Sequence, residues 1–346
     1  MRRTLRLVLI LVLLLSAGAV TSSEAQTSTV QVAILHGKVV YFGPGQPEKA
    51  EGSITYVSAA APTAPRGQPG SGPNCIPPCG SNELIYQEFG GTVQYGGTYA
   101  YNIFWEPPGS GVNYSSYNAD NNALMSDENS TGYYGNLTQY YQQDSGGTHY
   151  IGNHSSLAGS YIDTSAFPSQ TTSNGVTNPQ IDAEVQSVIS AKGWPQSLAY
   201  EYNVFLGVNP HSYQAETLSD GGCGDHGRSS LQSNVVDTAI SYGGANNSVC
   251  APPYCPHGCT IDAALATLAH ETMETVTDTI PYTGWVDTSY REIIDKCEAN
   301  QSLDYMDIVY DNNKANHFPG GPDYYLLESM WDNAEYGCAP YGPTYP

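Results

Sequence analysis

Residues 270–298 open with His270-Glu271-Thr272-Met273-Glu274 and run on to Glu292-Ile293-Ile294-Asp295-Lys296-Cys297-Glu298. Residues four apart on a helix share a face, so His270 and Glu274 can grip one ion from the same side. Glu271 is turned away by about a third of a revolution, where a carboxylate can address a metal-bound water without ligating. A hydrolytic zinc centre needs this division: three protein ligands, one open position and a base for the water's proton. Glu292, expected on a second helix, is the candidate third ligand. Asp295, one turn on, is the candidate acceptor for the other ring N–H of His270. Two carboxylates and one imidazole donate more charge than two imidazoles, which weakens zinc as a Lewis acid and makes Mn²⁺ or Ca²⁺ conceivable. The plainer reading is a surface helix with solvated carboxylates. The apolar stripe Ile261, Leu265, Leu268 and Met273, with small Ala263, Ala266 and Thr267 near His270, argues for a packed helix instead.

The remaining candidates are weaker. Gly221-Gly222-Cys223-Gly224-Asp225-His226-Gly227 reads as a tight glycine-rich turn. From it His226 could face the same cleft and stabilise a transition state, although a structural loop histidine is the commoner role. His317 is similar. Asp304, Asp307 and Asp311 lack the glycine and terminal glutamate of a calcium loop and read as a solvated acidic face. No Ser-His-Asp elbow, phosphate loop or dinucleotide fingerprint is present.

The start of the chain sets the expected compartment. Arg2, Arg3 and Arg6 precede an apolar run, Leu7–Leu15, and small residues follow to Ala25, which together read as a signal peptide over residues 1–25. The run is too short to span a bilayer. The whole chain of 346 residues carries 33 acidic and 11 basic side chains, a formal charge of −22. Such a surface repels nucleic acid and anionic lipid, so neither is an expected partner, and no membrane attachment is expected after cleavage. Few ammonium groups and many carboxylates leave the protein little charged near pH ~4, which suggests an acidic extracellular habitat. Eight cysteines in an exported chain read first as disulfides, with 105 pairings open. Cys75–Cys79 could close a local loop. A zinc knot of Cys250, Cys255, His257 and Cys259 is the rival use of the second cluster. Cys297 is expected to bridge to Cys338, the one cysteine downstream of it.

Several elements must position these groups. Residues 30–42 alternate as a strand or hairpin within an N-terminal β segment, 26–57. Residues 58–82, rich in Ala, Pro, Gly and Ser, form a linker. The remainder, 83–346, is the main domain. In it Tyr99, Tyr101, Ile103 and Trp105 share one strand face, with Ala100, Asn102 and Phe104 on the other. A short helix is expected near Leu137–Gln143. Asn178 should cap a helix that runs through Ile181, Val185, Val188 and Ile189 to Gly193. Leu198–Val208 and Asn234–Tyr242 follow as strands, and Thr260 opens the His270 helix. This order is α/β (α+β), with a mixed sheet and a metal-binding helix after a small β-rich N-terminal region.

The ordering of His270, Glu271, Glu274 and Glu292 resembles the gluzincin metallopeptidases, in which a glutamate from a following helix completes a zincin-like domain. From Gly90 to Cys338 the chain also resembles a bacterial type of the Exordium-like, phosphate-induced extracellular proteins. That likeness rests on Gly90-Gly91-Thr92-Val93, the Asn178–Gly193 helix leading into a strand, Cys223-Gly224-Asp225-His226-Gly227 and the cysteines at 250–259. His270 to Asp278, Gly284-Trp285-x-Asp287 and Glu292-Ile293-x-Asp295-x-Cys297 match members that carry the metal helix. One cysteine, Cys223, stands where plant members have two. The resemblance implies an extracellular protein of shared fold. The resulting expectation is a secreted zinc metallohydrolase acting on extracellular protein or peptide. In it His270, Glu274 and Glu292 are metal ligands, Glu271 and His226 are catalytic, and Asp295 stands behind them. The alternative is a non-catalytic protein that binds cell-wall glycan through its tyrosines and keeps a structural or vestigial metal.

Overall fold

The computed structural model describes residues 31–35, 38–42, 54–56, 83–86, 92–110, 114–168, 176–207, 223–242, 255, 257–288, 291–297, 306–310, 324–334 and 337–339. The chain opens with β1 (Gln31–Leu35) and β2 (Lys38–Phe42), paired as an antiparallel hairpin, and β3 (Ile54–Tyr56) adds to β1. The signal-peptide segment, the linker, Cys75, Cys79, Cys250, Asp304, Asp311 and His317 lie outside the described residues.

After β4 (Ile85–Tyr86), the strand β5 (Thr98–Trp105) sits inside a five-stranded mixed sheet. Its alternation decides the layering. Tyr101, Ile103 and Trp105 pack with Ile181, Val185, Val188 and Ile189 of α2 (Asn178–Lys192) on one face. Ala100 and Phe104 face α1 (Tyr114–Thr131) and α3 (Cys259–Thr277) on the other. Burying side chains of this size contributes about 1.5–3 kcal/mol each before entropy is set against it. β8 (Ser155–Asp163), β5, β9 (Tyr200–Phe205) and β11 (Val236–Ile240) run parallel in that spatial order. β10 (Gly224–Arg228) closes the edge antiparallel to β11, with His226 opposite Thr238.

Three expectations need correction here. The Asn- and Ser-rich stretch before residue 131, where no helix was expected, forms the eighteen-residue α1. Near Leu137–Gln143 there is a 3-10 turn, Tyr134–Gln139, and then a hairpin of β6 (Tyr141–Asp144) and β7 (Gly147–Tyr150). α2 is capped by Thr177, one residue earlier than expected. The Gln180 side chain accepts the Thr177 N–H at 2.9 Å, the reach-back arm of a capping box, and Gly193 ends the helix at φ 66°.

β12 (Trp285–Val286) pairs with β4, β13 (Met306–Tyr310) with β14 (Tyr324–Glu328), and β15 (Met330–Asp332) with β16 (Gly337–Ala339). Cys297 bridges to Cys338 as expected. Cys255 bridges to Cys259, and His257 Nδ1 lies 2.6 Å from Asp262, so three of the four zinc-knot donors are otherwise engaged. Bridged cysteines fit an oxidising compartment. Among the described residues, no helix is long and apolar enough to cross a membrane.

Candidate metal centre

α3 starts at a sharp turn, with Gly258 at φ 101° and the Asp262 carboxylate accepting the His257 N–H at 2.8 Å. Leu265, Leu268, Ala269, Met273 and Val276 bury one flank, which fixes how the helix is rotated against the sheet. His270, Glu271 and Glu274 are thereby aimed at β10 and β14. Glu274 Oε1 lies 3.3 Å from His270 Nε2 across one turn.

Glu271 points at the edge strand. Gly224 leaves room for it: a Cβ there would stand 2.6 Å from Glu271 Oε1 and 2.6 Å from Thr267 Cγ2. Two residues on, on the same strand face, His226 presents Nδ1 to Glu271 Oε2 at 3.1 Å. His226 therefore lies on a strand, not in a glycine-rich turn, and its register with β11 is what brings it to the helix.

The segment 291–297 is a run of turns, not the second helix that was expected. Asp287 pins it by accepting from the Arg291 backbone and guanidinium and from Lys296 Nζ at 3.2 Å. Trp331 N–H donates to the Ile293 carbonyl at 2.9 Å, and the Cys297–Cys338 bridge ties the end down. So held, Glu292 Oε1 lies 3.5 Å from His226 Nε2, and Asp295 Oδ1 lies 3.6 Å from His270 Nε2.

The predicted ligand set is thus divided between two groups. Among the described residues, His226, Glu274 and Glu292 form one group able to hold a metal ion, and His270, Glu274 and Asp295 form another. His270 does not join Glu292, and Asp295 stands among the donors, not behind them. The place behind His270 is taken by Glu328, whose Oε2 is 2.6 Å from Nδ1. Spacing gave no hint of Glu328, 58 residues away; the only signal was a carboxylate closing the apolar run Tyr325-Leu326-Leu327.

The residues fit a divalent ion. The His226 side chain is 3% exposed, yet its Nε2 and the facing Glu292 Oε1 have no hydrogen-bond partner. Two atoms each ~2.1 Å from a tetrahedral ion stand about 3.4 Å apart; three donor pairs here are separated by 3.3–3.6 Å, and His226 Nδ1 stands 3.8 Å from Glu274. The electrostatics ask for added positive charge. Burial opposes a charge on His226, but Glu271 and Glu274 outweigh it and push it up to about 9. Burial, with Asp295 and Glu271 adding to it against His270, raises Glu274 to about 7. Glu292 is pushed far up by burial and by Glu274 and Asp278. Bound protons, or a cation in their place, relieve the same repulsion.

No protein-family model, curated protein or solved structure matches this chain. The assignment therefore rests on the site itself.

The loop that follows α3 borders the site through Asp278, which is hydrogen-bonded to Glu292. The Asp278 carboxylate ends α3 and accepts the N–H groups of Thr283 at 2.9 Å and of Tyr282 and Gly284. Gly284 is confined there, since a Cβ would meet the Thr277 carbonyl oxygen at 2.4 Å. This loop holds Tyr282 at φ 67°, a left-handed conformation that costs an L-residue about 1–3 kcal/mol. Burial, followed by Glu292, Asp295 and Glu274, drives its phenol well above the usual range.

Proposed function

We propose that this protein is a secreted metal-dependent hydrolase, with zinc the expected ion and peptides the expected substrate class. The observation that carries the reading is the buried His226/Glu274/Glu292 group with Glu271 hydrogen-bonded at its edge. A bound divalent ion would lower the pKa of its water and polarise a carbonyl. The chain's own groups do the rest. His226 donates from Nδ1 to Glu271 Oε2 and so fixes that carboxylate, leaving Oε1, beside Gly224, to take the water's proton and return it to the leaving amine.

Peptide is taken as the substrate class from the resemblance of His270, Glu271, Glu274 and Glu292 to the gluzincin metallopeptidases. The likeness to zincin-like and Exordium-like extracellular proteins belongs to the same proposal.

The test is elemental analysis together with hydrolysis of unfolded protein and peptide libraries between pH 3 and 8. Glu271→Gln should keep the metal and lose hydrolysis; His226→Ala should lose both. A metal-loaded wild type that cleaves nothing would leave the second reading, a glycan-binding protein. That reading has its own support in the exposed tyrosines Tyr95, Tyr99 and Tyr150, with His149 stacked 4.9 Å from Tyr95.

A further inference from the structure

Two histidines in the site stand among Glu271, Glu274, Glu292, Asp295 and Glu328. These five carboxylates meet no lysine or arginine in the ion pairs described there. The nearest cations in sequence, Arg291 and Lys296, both engage Asp287. With all five ionised, one divalent ion offsets two of the charges and leaves three facing one another, Asp295 being 39% exposed, whereas two divalent ions offset four. The donor geometry divides in the same way. The donors do not close round one point but form two triads, in each of which the atoms lie within 4.8 Å of one another, and Glu274 alone belongs to both. Its oxygens part: Oε1 is 3.3 Å from His270 Nε2 and Oε2 is 3.8 Å from His226 Nδ1. Each imidazole is held through Nδ1 by a carboxylate, His270 by Glu328 at 2.6 Å and His226 by Glu271 at 3.1 Å. That arrangement turns Nε2 of His226 toward Glu292 at 3.5 Å and Nε2 of His270 toward Asp295 at 3.6 Å, while Glu274 reaches His226 from the Nδ1 side. The buried His226 Nε2 and Glu292 Oε1, facing each other without a hydrogen bond, are independent evidence that the His226 triad expects an occupant.

We infer that the centre takes two divalent cations bridged by Glu274, one on His226 and Glu292 and the other on His270 and Asp295. This rests on the metal-centre reading above and goes beyond it in number and in the role of Glu274. A carboxylate-rich pair of this kind suits Zn²⁺ or Mn²⁺, and co-catalytic pairs stand about 3.5–4 Å apart.

The test is metal counting with spectroscopy on the secreted chain. Protein saturated with Zn²⁺ and freed of excess ion by gel filtration should carry two ions per chain. Asp295→Ala and Glu292→Ala should each carry one. Protein loaded with Mn²⁺ should give the electron paramagnetic resonance spectrum of an exchange-coupled pair, a wild-type readout that holds even where a variant fails to fold. Saturation at one ion per chain overturns the pair, as do two ions that give only isolated Mn²⁺ signals or two ions that both folded variants keep. A wild type with one ion that still cleaves peptide sinks the pair and leaves the hydrolase. Two coupled ions without hydrolysis do the reverse, and no bound ion sinks both.

Discussion

His226 and Glu271 meet only because residue 224 has no side chain. Gly224→Ala would set a methyl 2.6 Å from Glu271 Oε1 and 2.9 Å from its Cγ, so the carboxylate must swing off His226 or the strand must retreat from α3. We expect folded protein destabilised by about 1–3 kcal/mol, the usual cost of overpacking, and hydrolysis reduced more than metal content. Urea unfolding and elemental analysis on the same sample check both. Glu328 offers a cleaner test of positioning. Its carboxylate fixes the ring of His270 from behind, so Glu328→Gln should weaken metal at His270 by roughly 10–100-fold, as loss of such partners does elsewhere. Competition with a chelator measures this, and an unchanged affinity would show that His270 holds no ion.

The element that carries Glu292 and Asp295 has no regular hydrogen-bonded structure to stiffen it, so its anchors matter more than its own conformation. Asp287 grips it at Arg291 and Lys296, and the Cys297–Cys338 bridge closes a loop with a sequence separation of 41. In the chain-entropy model a loop of that length is worth about 4 kcal/mol. Replacing both cysteines by serine should cost that order of stability and should also lower metal affinity, because the two carboxylates are then no longer prepositioned. Calorimetric titration with Zn²⁺ under conditions where the variant remains folded separates the two effects. Affinity equal to wild type would mean that Asp287 and Trp331 suffice as anchors.

Across the whole molecule, acidic groups are buried well away from the metal centre. Burial raises Glu106 to about 7, and burial with Asp163 beside it raises Glu184 to about 9. A carboxyl raised on folding keeps its proton where the unfolded chain has lost it. Its stabilising contribution is therefore complete below the unfolded value near pH ~4.3 and is lost as pH rises through the folded value. Together with a formal charge of −22, this predicts a fold most stable in acid. Glu184→Gln should raise the melting temperature relative to wild type, by a margin that widens between about pH 5 and pH 9. Because metal binding has its own pH dependence, the difference between variant and wild type is the quantity to follow. A margin that shrinks with pH would refute the assignment.

Helix geometry is local, so His270, Glu271 and Glu274 were fixed relative to one another by spacing alone, whatever the fold around them. The same holds for the two faces of β5 and β9, where alternation with a period of two sorted the tyrosines and aliphatics to α2 before any contact was known. The Cys297–Cys338 pairing was legible because little else downstream could serve. By contrast, α1 was hidden: an Asn- and Ser-rich run has poor helix propensity, and packing of Tyr117, Leu124 and Met125 against α3 and the sheet overrides it. The site's membership was hidden for a related reason. His226 reaches Glu271 through the register of β10 on β11, and Glu328 reaches His270 across 58 residues, neither of which leaves a periodic trace. Sequence thus named the helix that bears the donors, and only the packing of that helix against an edge strand, a strand end and a pinned turn decided which donors stand together.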